Sequence, residues 1–249
     1  MRPTAVLASV FAALAFAGSS SQAASKPPTL GERCLTKIER QHAVSFRTTD
    51  GFALRGVLLG RGSVGVALGH EKGADLCNWL PFARVLAASG FRVLALDFRG
   101  HGSSQAVRAD LKAFRLDRDF LAAVKLLRAR GARRTVLMGA SMGGTGALVA
   151  AAAMQPQPAA IVVLSSPADF STLDARAAVA RVHSPTLYAV GKDDFCCTQD
   201  MHDLYGAAAA RVKHLELLDS GAHGTELLNG PTGTQARKLI LRFLADNVR

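Results

Sequence analysis

The sequence predicts a single α/β domain with a mostly parallel, doubly wound sheet and an antiparallel hairpin at its N-terminal end. Strand and helix patterns alternate from Val64 to the C-terminus, which is typical of parallel sheets with helical crossovers. Alternating apolar and polar residues on both sides of Asp50-Gly51 predict the hairpin. The 249 residues, of which 49% are hydrophobic, are enough for one such domain and its core.

The predicted elements follow in chain order. Strands are expected at residues 43–48, 52–60, 64–68, 91–96, 136–138, 160–164, 186–190 and 214–218. After the loop 69–73, a helix is expected that carries residues 79–86 and ends at Gly90. Further helices are expected at about 110–130, after Ser141, at 198–211, and in a last segment that includes residues 236–244. Residues 169–183 have a polar pattern, and the segment between Ser165 and Ser184 is too short for a large cap. We therefore expect a minimal cap or none, and an open site.

The first residues are typical of a secretory signal peptide. Arg2 precedes an apolar run at 5–18, and the small residues 19–24 supply a cleavage site. The predicted organisation is a signal peptide at 1–24, a linker at 25–41 and one folded α/β domain at 42–249. The alternative is an uncleaved membrane anchor, but the apolar run is short for a bilayer span. The sequence thus predicts a secreted or periplasmic protein without stable membrane insertion after cleavage.

The charge pattern argues against nucleic-acid binding. The formal net charge is +11, but the basic residues are spread along the chain and are not interleaved with aromatic residues. We interpret this charge as a solvated face. The oligomeric state is open, with a monomer favoured.

Four cysteines in an exported chain indicate disulfide bonds rather than a metal centre, because they lack paired metal-ligand spacing. Cys77 and the Cys196-Cys197 pair both follow strands, at the same edge of the sheet. One interpretation is a bond between these two loops, with Cys34 taking the remaining cysteine. A vicinal Cys196–Cys197 bond is the alternative. The sequence predicts neither a metal nor another cofactor.

Ser141 is the candidate nucleophile. It lies in Gly139-Ala140-Ser141-Met142-Gly143, between an apolar strand and a helix rich in small residues. A serine exposed on such a sharp turn needs small flanking residues, and the following helix directs backbone amides and its positive dipole end toward the serine. The structural alternative is an ordinary glycine-rich turn.

His223 and Asp194 are the candidate partners of Ser141, because each follows a predicted strand and ligands bind at the carboxyl ends of parallel strands. A serine hydroxyl needs an imidazole to take its proton and a carboxylate to orient that imidazole. Gly221, Ala222 and Gly224 leave the histidine loop free to approach the serine.

The order Ser141, Asp194, His223 and the motifs GASMGG, GKDD and GAHG resemble the α/β-hydrolase fold family, over residues 43–249. The resemblance implies the fold, a serine hydrolase activity and Asp194 as the acid of a catalytic triad, with Asp193 as the alternative. It also implies that the loop 97–103 is mostly architectural, so His101 and His70 are interpreted as packing residues. His42, His183, His202 and His214 are expected to be exposed.

The resemblance further implies an oxyanion hole made of backbone N–H groups. One would come from Met142, and the second from Glu71 or Lys72 in the loop after Gly69-His70. This sequence has Glu71 where the family usually has glycine. A carboxylate in the hole would oppose a developing oxyanion, so we expect Glu71 to turn away, toward Lys72 or an arginine.

The sequence therefore predicts an exported serine hydrolase that cleaves carboxylic esters or thioesters of small molecules through an acyl-enzyme on Ser141. A polyester-surface esterase is a variant within this class. The contrasting hypothesis is a non-catalytic binding protein that keeps the fold.

Overall fold

The computed structural model describes residues 29–107 and 114–248. The predicted signal peptide at 1–24 and the predicted start of a helix at Asp110 lie outside these residues. In the described part, no helix is both long enough and apolar enough to cross a bilayer.

Helices and strands alternate through most of the chain. The strands are β1 Ala43–Arg47, β2 Ala53–Leu59, β3 Val64–Gly69, β4 Arg92–Asp97, β5 Arg134–Ala140, β6 Ala160–Leu164, β7 Asp169–Phe170, β8 Leu173–Asp174, β9 Thr186–Gly191 and β10 Lys213–Leu218. The helices are α1 Lys37–Arg40, α2 Leu80–Ala88, α3 Leu116–Ala129, α4 Met142–Ala153, α5 Ala175–Val179, α6 Thr198–Ala207, α7 Glu226–Asn229 and α8 Gly233–Asn247, with a 3₁₀ turn at Leu76–Asn78.

Within residues 29–107 and 114–248, eight strands form one sheet in the order β1-β2-β4-β3-β5-β6-β9-β10. β1 and β2 form the predicted antiparallel hairpin, and β2 is antiparallel to β4. From β4 to β10 all neighbours are parallel. The predicted fold class is therefore confirmed, and the carboxyl ends of β3, β5, β9 and β10 share one edge of the sheet.

The sheet is covered on both faces, which explains why its central strands have continuous apolar sequences. One core cluster includes Phe120 of α3, Leu148 of α4 and Leu204 of α6. The other includes Phe82 of α2 and Ile240 of α8. All five residues of β6 are buried, as expected for a strand between two helical layers.

Two predicted segments differ from the structure. α6 ends at Ala207 rather than at Arg211, because Ala208 adopts an extended conformation and the N–H of Ala209 donates to the carbonyl of Val179. Residues 169–183 contain the short pair β7-β8 and α5. Elements this short carry no usable hydrophobic period.

The described part of the predicted linker packs on the domain. Leu30 and Leu35 are buried in the α2 side of the core. Glu39 of α1 forms an ion pair with Arg84 of α2, at 2.7 Å. The chain therefore contacts the sheet layers before the first strand begins.

Candidate active site

Ser141 lies at the sharp turn between β5 and α4. Its φ of 50° and ψ of −122° are seldom adopted by residues other than glycine. Its backbone N–H donates to the carbonyl of Leu164 on the neighbouring strand, at 2.8 Å. A Cβ on Gly139 would overlap the backbone of Gly143. The structure thus has the turn and the small neighbours that the sequence predicted, and the nucleophilic role of Ser141 stays a prediction.

Asp194 and His223 are in direct contact. The Nδ1 of His223 lies 2.9 Å from Oδ2 of Asp194. Asp194 is 2% exposed, and its Oδ1 accepts from the N–H of Cys196 at 3.2 Å. The alternative acid, Asp193, is exposed and makes no hydrogen bond to His223 in the described structure. The geometry therefore favours Asp194 as the partner of the imidazole.

The loop after β10, residues 219–225, is called the histidine loop, and the loop after β9, residues 192–197, is called the acid loop. The histidine loop lies against both the acid loop and the turn at Ser141. A Cβ on Gly191, at the end of β9, would overlap the carbonyl of Ser220 in the histidine loop. A Cβ on Gly224 would lie 3.5 Å from the Cβ of Ala140, so the residue after His223 is in contact range of the residue before Ser141. Across the described ranges, Ser141 Oγ and the His223 ring form no hydrogen bond. The serine is thus beside the His223–Asp194 pair without being bonded to it.

Glu71 contacts the histidine loop. Its Oε1 accepts from Nδ2 of Asn78 at 2.9 Å and from the hydroxyl of Thr225. Its Oε2 is buried and has no hydrogen-bond partner among the described residues. The expectation that Glu71 turns toward Lys72 or an arginine is therefore wrong. Its donors are instead uncharged: Asn78 belongs to the 3₁₀ turn after β3, and Thr225 to the loop after β10.

The candidate oxyanion-hole residues lie in adjoining segments. Met142 is the first residue of α4, where a backbone N–H lacks an intrahelical acceptor. A Cβ on Gly143 would overlap the carbonyls of Gly69 and His70. The loop that carries Glu71 and the exposed Lys72 therefore begins against the first turn of α4. Whether these amides bind an oxyanion stays a prediction.

His70 is a packing residue. It is fully buried, its Nδ1 donates to the carbonyl of Glu71 at 2.8 Å, and its Nε2 accepts from the N–H of Phe98 at 3.1 Å. Burial, with a smaller contribution from the nearby His101, lowers the pKa of His70 to about 4. The imidazole is therefore neutral at neutral pH and has no free nitrogen for proton transfer.

The loop after β4 has a structural role, as the resemblance implied. Asp97 accepts from the backbone N–H groups of Leu76 and Ser103, at 2.9 and 2.8 Å, and from the Ser103 hydroxyl. Burial raises the pKa of Asp97, and these hydrogen bonds oppose that effect. The buried guanidinium of Arg99 pairs with Asp119 at 2.7 Å. Sequence analysis assigned the loop 97–103 to this role but did not identify Asp97 as the hydrogen-bond acceptor that holds it. The available signal was a carboxylate that ends an apolar strand three residues before Gly-x-Gly-Ser.

The cysteines pair within neighbouring segments. Cys34 is bonded to Cys77, with a Cα–Cα distance of 5.6 Å, and Cys196 is bonded to Cys197. The predicted bond between the Cys77 loop and the Cys196-Cys197 loop is therefore wrong, and the vicinal alternative is present. β5 and β6 separate β3 from β9, so these loops leave strands about 14 Å apart, beyond the reach of a disulfide.

The four histidines expected to lie outside the site, His42, His183, His202 and His214, are exposed. A different grouping was missed by sequence analysis. Ligand atoms of Asp194, Cys196, Cys197 and His223 all lie within 4.8 Å of one another. The first three are close in sequence, but only the pairing of β9 with β10 brings His223 to them.

Comparisons with known proteins support the fold. The model of the family described as serine aminopeptidase, S33, matches residues 66–174. An esterase of Pyrococcus furiosus has a similar structure, with a TM-score of 0.75 and 19% identity over 90% of this chain and 99% of that one. The enol-lactonase of Burkholderia xenovorans superposes with a TM-score of 0.69 and 17% identity, over 81% of this chain and 100% of that one.

The monoacylglycerol lipase of Paleococcus ferrophilus is also similar, with a TM-score of 0.67 and 17% identity over 78% of this chain and 99% of that one. Together with the sheet order, these comparisons show that the chain has the α/β-hydrolase fold that the sequence motifs indicated.

Proposed function

We propose that this protein is an exported serine hydrolase that cleaves carboxylic esters or thioesters. Ser141 Oγ attacks the substrate carbonyl while His223 accepts its proton. The tetrahedral intermediate then expels the alcohol or thiol, which takes that proton from His223. Water attacks the resulting acyl-enzyme with His223 again as base, which releases the acid and restores Ser141.

The contact between His223 and Asp194 carries this proposal. A carboxylate that is 2% exposed and lies 2.9 Å from Nδ1 orients the ring and stabilises its protonated form. With Nδ1 engaged, Nε2 is the nitrogen left to accept a proton. The strained turn at Ser141 beside the same loop supports the role of nucleophile.

The oxyanion hole would use the N–H of Met142 and that of Glu71 or Lys72. The negative charge of the Glu71 side chain would destabilise an oxyanion if it entered this hole. Hydrogen bonds from Asn78 and Thr225 to Oε1 hold that side chain against the histidine loop. This arrangement supports a backbone role for the Glu71 segment, with the side chain serving to join two loops.

Export is part of the proposal. Residues 1–24 would be removed as a signal peptide, and 25–41 would lead into the domain at 42–249. The Cys34–Cys77 disulfide supports an oxidising compartment. A monomer without cofactor is the expected form.

The substrate class rests on the site chemistry and on the esterase, lactonase and lipase named among similar structures. The family description as a serine aminopeptidase favours peptide cleavage as a second candidate. Both begin with acyl transfer to serine, so substrate tests must separate them.

The first test is hydrolysis of p-nitrophenyl esters from acetate to palmitate, beside an alanine p-nitroanilide and an insoluble polyester. Ser141→Ala and His223→Ala serve as the inactive variants, and exposed His202→Ala is the matched control. Ester turnover lost in the first two variants and retained in the control would support the proposal. Preference for the anilide would favour the peptidase. A folded wild-type protein that neither turns over any substrate nor reacts with a fluorophosphonate would favour the binding protein.

A further inference from the structure

The acid loop and the histidine loop bring together a set of side chains suited to a metal ion. Ligand atoms of Asp194, Cys196, Cys197 and His223 lie within 4.8 Å of one another. Two sulfurs, one imidazole and one carboxylate form a donor set typical of zinc sites. In the structure the two sulfurs are bonded to each other, so neither is a thiolate.

We propose that reduction of the Cys196–Cys197 bond converts this loop pair into a site for Zn²⁺ or a similar borderline-soft divalent cation. The reductant is a small dithiol. It transfers two electrons and two protons to the protein, leaving two cysteine thiols, and is itself oxidised to a disulfide. The cation then displaces both thiol protons and binds two thiolates, Asp194 and His223.

The geometry of the loop suits this conversion. Zn–S bonds of about 2.3 Å and Zn–N or Zn–O bonds of about 2.1 Å place the ligands of a tetrahedral site about 3.4–3.8 Å apart. The largest separation in the cluster, up to 4.8 Å, is within about 1 Å of the upper end of this spacing. Reduction lets the two sulfurs, now bonded to each other, move apart. Cys196 and the fully exposed Phe195 lie at the surface, so a dithiol can reach the bond.

The position of Cys197 also favours a thiolate after reduction. Cys197 is the residue immediately before α6, a helix of ten residues. The positive end of the helix dipole stabilises a thiolate at this position.

The second disulfide provides an internal control. Within residues 29–107 and 114–248, the Asp194–His223 cluster is the one group of three or more histidine, cysteine or acidic side chains with metal-binding spacing. Cys34 and Cys77 belong to no such group. Reduction of both disulfides should therefore create one metal site, not two.

A consequence for activity rests on the proposed function. A cation bound to Asp194 and His223 withdraws both side chains from proton transfer. The reduced protein would then lose esterase activity when Zn²⁺ is added and regain it with a chelator. The vicinal bond would in this way make the hydrolase dependent on an oxidising environment.

The test follows binding of Co²⁺, which reports thiolate ligation through a charge-transfer absorption band, after anaerobic reduction with dithiothreitol and its removal. We expect one Co²⁺ per chain in the reduced wild type and in Cys34→Ser/Cys77→Ser. We expect no band in the oxidised protein or in Cys196→Ser/Cys197→Ser. In the reduced wild type, Zn²⁺ should protect Cys196 and Cys197, but not Cys34 or Cys77, from alkylation. This arm needs no substitution, and because the reduced wild type has lost the Cys34–Cys77 bond as well, circular dichroism verifies that it is folded before the metal is added.

The proposal is overturned if the reduced wild type, with its four thiols verified, shows no thiolate band with Co²⁺. It is also overturned if Zn²⁺ does not protect Cys196 and Cys197 from alkylation. It is equally overturned if the band persists in Cys196→Ser/Cys197→Ser. Because neither readout needs turnover, a protein that binds Co²⁺ here but hydrolyses nothing would contradict the proposed esterase and leave the metal site supported.

Discussion

The Nδ1 of His223 lies 2.9 Å from Oδ2 of Asp194, whereas the adjacent carboxylate of Asp193 is exposed to solvent. Two neighbouring aspartates at the end of β9 thus have different environments. Only the buried one can orient the histidine ring without competition from water.

Replacing Asp194 by asparagine should lower kcat for ester hydrolysis by about four orders of magnitude, because an amide can stabilise the wrong tautomer of His223. Asp193→Asn is the matched control and should stay within about twofold of the wild type. Steady-state kinetics on p-nitrophenyl acetate measure both. Equal losses in the two variants would contradict the assignment of Asp194.

Thr225→Val should reduce the free energy of unfolding by about 1–3 kcal/mol. The substitution removes the hydroxyl that donates to Glu71 and leaves a buried carboxylate with one donor fewer. Thr225→Ser retains the hydroxyl and should cost less than about 1 kcal/mol. Urea unfolding checks both values, and equal stability of the valine and serine variants would remove the energetic role of this hydrogen bond.

Gly139→Ala should destabilise the protein by about 3 kcal/mol, because its Cβ would meet the backbone of Gly143 and Gly144, which cannot move aside cheaply. Gly206 offers the matched substitution. It lies on the exposed side of α6, a Cβ there would meet nothing within 4 Å, and Gly206→Ala should stabilise the helix by about 0.5–1 kcal/mol. The midpoint temperature of thermal unfolding should fall in Gly139→Ala and rise in Gly206→Ala.

The buried His70 should make stability depend on pH. Its pKa is about 4 in the folded protein and 6.5 in the ordinary, unfolded reference. Between these values the unfolded chain binds more protons, so the free energy of unfolding decreases as the pH falls from 6.5. The loss approaches about 3 kcal/mol below pH 4.

His70→Gln cannot titrate, so the stability difference between the wild type and this variant should change with pH over the same window. Urea unfolding from pH 7.5 to 4 measures that difference. An NMR titration of the wild-type imidazole gives an independent value of the pKa. An imidazole that titrates near 6.5 in the folded protein would contradict the burial argument.

The two disulfides should contribute very differently to stability. Cys34 and Cys77 are 43 residues apart, so their bond restricts the unfolded chain and is worth about 4 kcal/mol in the loop-entropy description. A bond between adjacent residues closes almost no loop. Cys34→Ser/Cys77→Ser should therefore unfold at a much lower urea concentration than the wild type. Cys196→Ser/Cys197→Ser should lose less than about 1 kcal/mol of the free energy of unfolding. A larger loss of stability in Cys196→Ser/Cys197→Ser than in Cys34→Ser/Cys77→Ser would contradict the loop-entropy explanation.

Sequence patterns predicted the strands well and the short helices poorly. β6 was found at its observed bounds, since five consecutive apolar residues in a two-sided sheet have few alternatives. β7, β8 and α5 were missed because two to five residues contain little more than one period, which is too short to show a repeating pattern. α6 was predicted too long because a tertiary hydrogen bond to Val179, not a local stop signal, accompanies its end.

Sequence patterns likewise predicted some features of the candidate site and not others. Ser141, Asp194 and His223 could be selected from sequence because each follows a predicted strand of a parallel sheet. The contact of Glu71 with Thr225 could not, since 154 positions of sequence separate the two residues. Asn78, the other partner, is seven residues from Glu71.

The sequence alone determined the alternation of strands and helices, the antiparallel start and the polar residues at the strand ends, because these follow from local hydrophobic periods and turn residues. Only the tertiary structure decided that Asp194 contacts His223, that Cys34 pairs with Cys77, and that Glu71 binds the histidine loop. Those contacts depend on the distances between the loops after β3, β9 and β10 and, for Cys34, on how the segment before β1 packs against the domain. The order of strands in the sheet sets these distances, and no local pattern encodes them.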